Sequence, residues 1–169
     1  MEKIKLKLEE GVELPQYETE DAVGFDLRVN KIVKAFVGDF EKPAEKLEAM
    51  RESFKKGRLK LRPGERVLFG TGIYADIPNN MELQIRSRSG AALKSGLVVV
   101  NSPGTIDPDY TGEICVAIYN ASQFLNRIEF NSRVAQAVPK EVIRPALEQI
   151  EEITKNTERG EGGFGSTGV

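Results

Sequence analysis

The feature that most constrains this chain is a series of short segments in which apolar and polar residues alternate, at residues 3–8, 59–62, 66–69, 83–85, 96–100, 113–119 and 134–138. A two-residue period puts one face of a strand against a core and the other in water. Between these segments stand Pro63-Gly64, Pro78-Asn79-Asn80 and Ser102-Pro103-Gly104, all turn sequences. Many short strands punctuated in this way predict an all-β chain folded as a barrel or jelly roll. Two stretches break the pattern. Residues 91–94 suffice for one helical turn. Residues 43–56 predict a real helix, with Leu47, Met50 and Phe54 on one face, glutamates in its first half, Lys55 and Lys56 closing it and Gly57 at the C-terminal cap. This helix lies within an insertion of about 31–58 that packs on the barrel. Leu147, Ile150 and Ile153 also have helical spacing but follow Pro145, so helical and extended readings both stand there.

Composition narrows the chemistry. A chain of 169 residues, 40% apolar and 30% charged, is expected to make one soluble domain. A net charge of -2 argues against the broad basic surface that nucleic acid requires. With no His, the chain cannot build a Ser-His-Asp or Cys-His machine or a His-based zinc site. Its single cysteine, Cys115, has no intramolecular disulfide partner and, between Ile114 and Val116, reads as a buried strand residue. Charges alternate through the first eight residues and no long apolar run occurs, so neither a secretion signal nor a membrane span is expected, and the expected compartment is the cytoplasm.

Three segments carry an inventory for chemistry. The tail from Arg159 holds five glycines between Gly160 and Gly168, with Phe164, Ser166 and Thr167. Its G-x-G-x-x-G match is not a dinucleotide fingerprint, since no helix follows, and no Lys precedes Ser166 as a Walker loop would need. An Arg, open backbone N–H groups and two hydroxyls still suit phosphate, and Phe164 could stack on a base. From the local residues, a frayed terminus and a phosphate-binding arm both stand. Arg88, Ser89 and Gly90 come just ahead of the short helical turn, where an anion or a simple capped turn fits equally. Residues 96–113 form a hairpin whose Asn101, Thr105, Asp107, Asp109 and Tyr110 exceed what a turn needs, which points to a planar polar ligand.

Five segments in fixed order, 22–27, 88–96, 96–112, 133–136 and 159–168, resemble the five motifs of the homotrimeric deoxyuridine triphosphate nucleotidohydrolases, the dUTPases. The resemblance implies a jelly-roll subunit of a trimer with shared active sites and a C-terminal arm, 159–169, that closes over them. It further implies that uracil is read by Asn101 and by main-chain groups of the hairpin around Gly104, Thr105 and Ile106. Tyr110 would pack on deoxyribose and exclude a 2'-hydroxyl, and Asp107 would activate the attacking water. Arg88, Ser89, Gly90, Gln136, Arg159, Ser166 and Thr167 would contact the phosphates, with Phe164 over the uracil and Gly165 also among the substrate-binding residues. Mg²⁺ would be held by the triphosphate and waters rather than by protein ligands. The chain departs from the family pattern at Ser87, where Pro is usual, and at Asn131-Ser132, where Gly-Asp is common.

Elementary chemistry agrees: Arg88, Arg159, backbone N–H groups and a phosphate-bound Mg²⁺ could neutralise a triphosphate transition state. With no His, a carboxylate is the natural general base, and attack at the α-phosphorus would release pyrophosphate and dUMP. Two alternatives come from other classes. A dCTP deaminase shares the Ile106-Asp107-Pro108 hairpin but places a catalytic Glu just before a segment like Ile118-Tyr119-Asn120, and here Ala117 stands there. A regulatory homologue could keep the fold and use the inserted helix to bind a protein partner.

Overall fold

The computed structural model describes residues 3–162. In chain order the elements are β1 (Lys5–Leu8), β2 (Phe25–Arg28), β3 (Lys31–Val37), β4 (Phe40–Glu41), α1 (Ala44–Lys55), β5 (Arg58–Leu61), β6 (Glu65–Asp76), β7 (Met81–Ser87), α2 (Ser89–Ser95), β8 (Leu97–Val99), β9 (Gly104–Ile106), β10 (Glu113–Asn120), β11 (Asn126–Glu129) and β12 (Arg133–Glu141). All pairings between them are antiparallel. One sheet runs β4-β3-β6-β10-β8, with β1 also on β6; a second runs β2-β12-β7-β9; β11 and β5 form a ribbon. The chain is therefore mostly β, as the alternation requires.

Strands β5, β8 and β10 send every second residue inward. In β10, Ile114, Val116, Ile118 and Asn120 are buried while Cys115 and its neighbours on the opposite face are half-buried. Cys115 is thus not a core residue, contrary to the expectation from its apolar neighbours. Burial pushes its thiol up, and nearby Glu113 adds to the effect, so it is not a thiolate at neutral pH. Leu27, Val67, Phe69 and Leu83 complete the interior from the other strands.

The segment expected as an insertion is woven into this core. β3 pairs along β6 from Lys31 opposite Gly70 to Val37 opposite Glu65, and Ile32 and Ala35 are buried. Helix α1 matches its predicted span, with Pro43 as N-cap and Gly57, at φ 115°, following the C-cap. Leu47 and Phe54 are buried, and Phe54 packs on Phe69 and Phe130 with ring centroids 5.5 and 5.7 Å away. The Arg51 guanidinium pins the helix to β3 by donating to the carbonyls of Ile32 and Val33, 3.0 Å each. Residues 142–157 adopt neither of the open readings as a regular element, and Ile143, Leu147, Ile150 and Ile153 are exposed.

Candidate active site

The four-stranded sheet gathers three distant parts of the sequence. β12 pairs β2 on one side, with Gln136 opposite Asp26, and β7 on the other, with Ala135 opposite Ser87. Arg88, the N-cap of α2, leaves the end of β7 beside them. Its Nε lies 2.7 Å from Asp26 Oδ1, and its Nη1 donates to the Arg133 carbonyl at 3.2 Å. Arg133 Nη1 contacts the other oxygen of Asp26 at 3.2 Å and Glu18 Oε1 at 2.8 Å. Gln136 donates its amide to the Ser87 carbonyl at 3.1 Å. Two arginines and two carboxylates leave this cluster neutral overall, so an incoming polyanion must compete with Asp26 and Glu18 for the guanidinium groups. A cleft of about 730 Å³ opens beside it, with Glu18, Asp26, Arg28 and Arg133 in its wall.

Ser89 and Gly90 stand within the first turn of α2 rather than ahead of it, and both are exposed. The helix stops at Gly96, in the left-handed region at φ 62°, where a Cβ would lie 2.7 Å from that of Ser122. β8 then leads into the hairpin of residues 97–113. Asn101 is exposed and its amide lies against Gly104, where an added Cβ would come within 3.0 Å. Thr105 is exposed and Ile106 half-buried on β9. The Tyr110 amide donates to the Asp107 carbonyl at 3.1 Å, closing a turn that leaves the carboxylates of Asp107 and Asp109 in solvent. Asp107 makes no ion pair among the described residues. The Tyr110 ring rests on Gly112, whose Cβ would meet its Cζ at 2.6 Å, and its hydroxyl donates to the Glu113 carbonyl at 2.8 Å. Partial burial pushes the phenol up, Cys115 and Glu113 add to this, and it stays a donor at neutral pH.

The root of the hairpin is braced by charge. Glu113 accepts the Gly72 N–H at 2.7 Å and pairs with Lys31 at 3.0 Å, and Lys31 also holds Glu9 at 2.6 Å. Burial works against the ammonium, yet the hydrogen bonds to Glu9 and Glu113 outweigh it and raise the Lys31 pKa.

Within one chain, then, Arg88 and Gln136 come together, while Asn101, Gly104, Thr105, Ile106, Asp107 and Tyr110 share the hairpin. Arg159 is exposed and its Nε donates to the Gly162 carbonyl at 2.8 Å. Phe164, Gly165, Ser166 and Thr167 lie outside the described residues. Asp26, Arg133 and Glu18 were not singled out as site residues by sequence reasoning. Asp26 and Arg133 do fall in segments that resemble family motifs, but the bridge between them is set by strand register.

A mostly-β antiparallel fold brings two arginines and an amide to the four-stranded sheet whose edge strand, β9, also carries part of the open polar hairpin, an arrangement with the chemistry to take a nucleotide. Comparison with known proteins is specific: the chain belongs to the dUTPase family, whose profile matches residues 56–168. The deoxyuridine 5'-triphosphate nucleotidohydrolase of Chlamydia felis is 44% identical over 165 residues, covering 96% of this chain and 95% of that protein. Among solved structures, the Staphylococcus bacteriophage 80alpha dUTPase with dUpNHpp superposes with a TM-score of 0.74 over all of both chains at 24% identity. A dUTPase from phage phi11 of S. aureus, described for its coordination of a structural Mg(II) ion, has a TM-score of 0.67 at 19% identity and covers 91% of this chain and 100% of its own.

Proposed function

We propose that this chain hydrolyses dUTP to dUMP and pyrophosphate, as a jelly-roll subunit of a homotrimer with shared sites. One observation carries the reading: β2, β12 and β7 set Asp26, Gln136 and Arg88 side by side, while the hairpin of residues 97–113 holds Asn101, Asp107 and Tyr110 open to solvent. The sheet cluster suits phosphates and the hairpin suits a nucleoside. Asn101 can present both an acceptor and a donor to a uracil edge. Tyr110, braced from behind by Gly112 and the Glu113 carbonyl, can present a ring face to deoxyribose. Asp107, exposed and unpaired among the described residues, can take a proton from a water aimed at the α-phosphorus.

The residues also fit a magnesium ion that arrives on the nucleotide. Asp26 and Glu18, the carboxylates beside Arg88 and Arg133, are already engaged by those arginines, and their charge opposes a bare triphosphate. When bound, Mg²⁺ neutralises phosphate charge and polarises the phosphoryl oxygens. Leu14, Val23, Leu93 and Leu147, each more than half exposed, are apolar residues that neighbouring copies in a trimer would have the opportunity to cover. The arm of residues 159–169 would bring Arg159, Phe164, Gly165, Ser166 and Thr167 over the bound nucleotide.

Incubation with dUTP, dCTP, dTTP and UTP in the presence of Mg²⁺, with identification of the products, tests this. Pyrophosphate and dUMP from dUTP alone is the expected result. Deamination of dCTP would assign the sister chemistry, and absence of turnover a non-catalytic role.

A further inference from the structure

Ser87 stands where the two main sheets meet, and each of its polar groups reaches a different part of the candidate site. It is the last residue of β7, paired with Ala135 in the four-stranded sheet. β8 is the edge strand of the six-stranded sheet, so its outward N–H groups have no strand to pair with. The Ser87 hydroxyl accepts one of them, the Val99 N–H, at 2.9 Å. Its own N–H donates to Ser102 Oγ at 3.4 Å, and its carbonyl accepts the Gln136 amide at 3.1 Å. Val99 and Ser102 bracket Asn101, and Arg88 is the next residue along the chain.

We propose that Ser87 is a positioning residue for nucleotide binding, its hydroxyl fixing the end of β8 just ahead of Asn101 while its carbonyl holds Gln136 beside Arg88. This rests on the dUTP reading above. Val99 is buried, so loss of the serine hydroxyl leaves its N–H without that partner and lowers stability, but β8 stays paired with β10 and the fold survives while the end of β8 is no longer tied to β7. The groups that would read the base and those that would meet phosphate then lose their fixed separation. Ground-state fit suffers first, since Ser87 touches no reacting atom.

The test uses the full chain and compares Ser87→Ala, Ser87→Cys and Ser87→Thr. Cysteine keeps the volume but is a weak acceptor, and threonine keeps the hydroxyl. For Ser87→Ala and Ser87→Cys the expectation is a rise in KM for dUTP of about 3- to 10-fold, the span of one neutral hydrogen bond. The Kd of α,β-imido-dUTP should rise in parallel, kcat should stay within about two-fold, and Ser87→Thr should restore both constants. In the unmodified protein the Val99 amide should exchange slowly with solvent, and faster in Ser87→Ala. Unchanged KM and Kd in the alanine and cysteine variants, even with a lower Tm, would make Ser87 a purely structural residue and overturn the proposal. A fall in kcat alone would overturn it too. Failure of the unmodified protein to turn over dUTP would instead count against the functional reading, and the two failures are separate measurements.

Discussion

Asp107 and Tyr110 close the same turn, yet their substitutions should fail in different ways. Asp107→Asn preserves shape, because the structural bond of that turn is made by the backbone carbonyl and not by the carboxylate. The amide cannot accept a proton as the carboxylate does, so hydrolysis should fall by about 10²- to 10⁴-fold with little change in the Kd of α,β-imido-dUTP. Single-turnover kinetics and calorimetry check the two halves, and normal turnover in this variant would remove Asp107 from the chemistry. Tyr110→Ala should instead lower the ratio of kcat/KM for dUTP over UTP by up to about 10², since rejection of an added hydroxyl depends on the ring filling its space. Tyr110→Phe should keep the discrimination, because the lost hydroxyl faces the Glu113 carbonyl and not the open side. These residues stand out in the sequence as candidates because a hairpin needs fewer polar groups than residues 96–113 supply. Asp26 was not: its ion pair with Arg88 spans 62 positions and exists only once β2, β12 and β7 align.

At the scale of elements, legibility followed how regularly a segment meets the core. α1 was readable because one face recurs at helical spacing and both ends carry terminal signals. β3 was not, because its register on β6 shifts between Ile32 and Lys34, and a bulge breaks the alternation that marks a strand. The second half of β6 escaped for the opposite reason: residues 69–73 are buried continuously, so no polar face alternates with an apolar one. The structure therefore changes what α1 is expected to do. Phe54 is 1% exposed and wedged between Phe69 and Phe130, so the helix closes the core instead of decorating it. Phe54→Ala should cost about 3–5 kcal/mol, measured by denaturant unfolding, while kcat/KM of the folded fraction stays unchanged. The buried side chain of Asn120 does comparable service in β10. It donates to the carbonyls of Leu61 and Phe124 and accepts from Ser122 and Asn126, tying β5, β11 and the end of α2 to one point. Asn120→Ala leaves several of these groups without partners and should destabilise by about 2–4 kcal/mol.

At the scale of the whole molecule, the question is whether one chain contains a complete site. Among the described residues, the Arg159 side chain bonds within its own turn, to the Gly162 carbonyl, and the exposed Ile143, Leu147, Ile150 and Ile153 precede it. Both fit a chain that completes its site with a neighbour, the hairpin and the arm of one site coming from different subunits. Asp107→Asn should be inactive alone for want of a base. A chain truncated before Arg159 should also be inactive, because nothing covers the triphosphate and excludes water. On the proposed trimeric assembly, unfolding the two together and refolding them should create mixed trimers. Some sites then combine the intact hairpin of a truncated chain with the intact arm of an Asp107→Asn chain, and dUTP hydrolysis should return to a fraction of the unmodified level. Light scattering and differential tags would establish that mixed trimers formed. No recovery at any mixing ratio, with mixed trimers demonstrated, would mean that each arm folds onto its own hairpin, and the shared site would have to be abandoned.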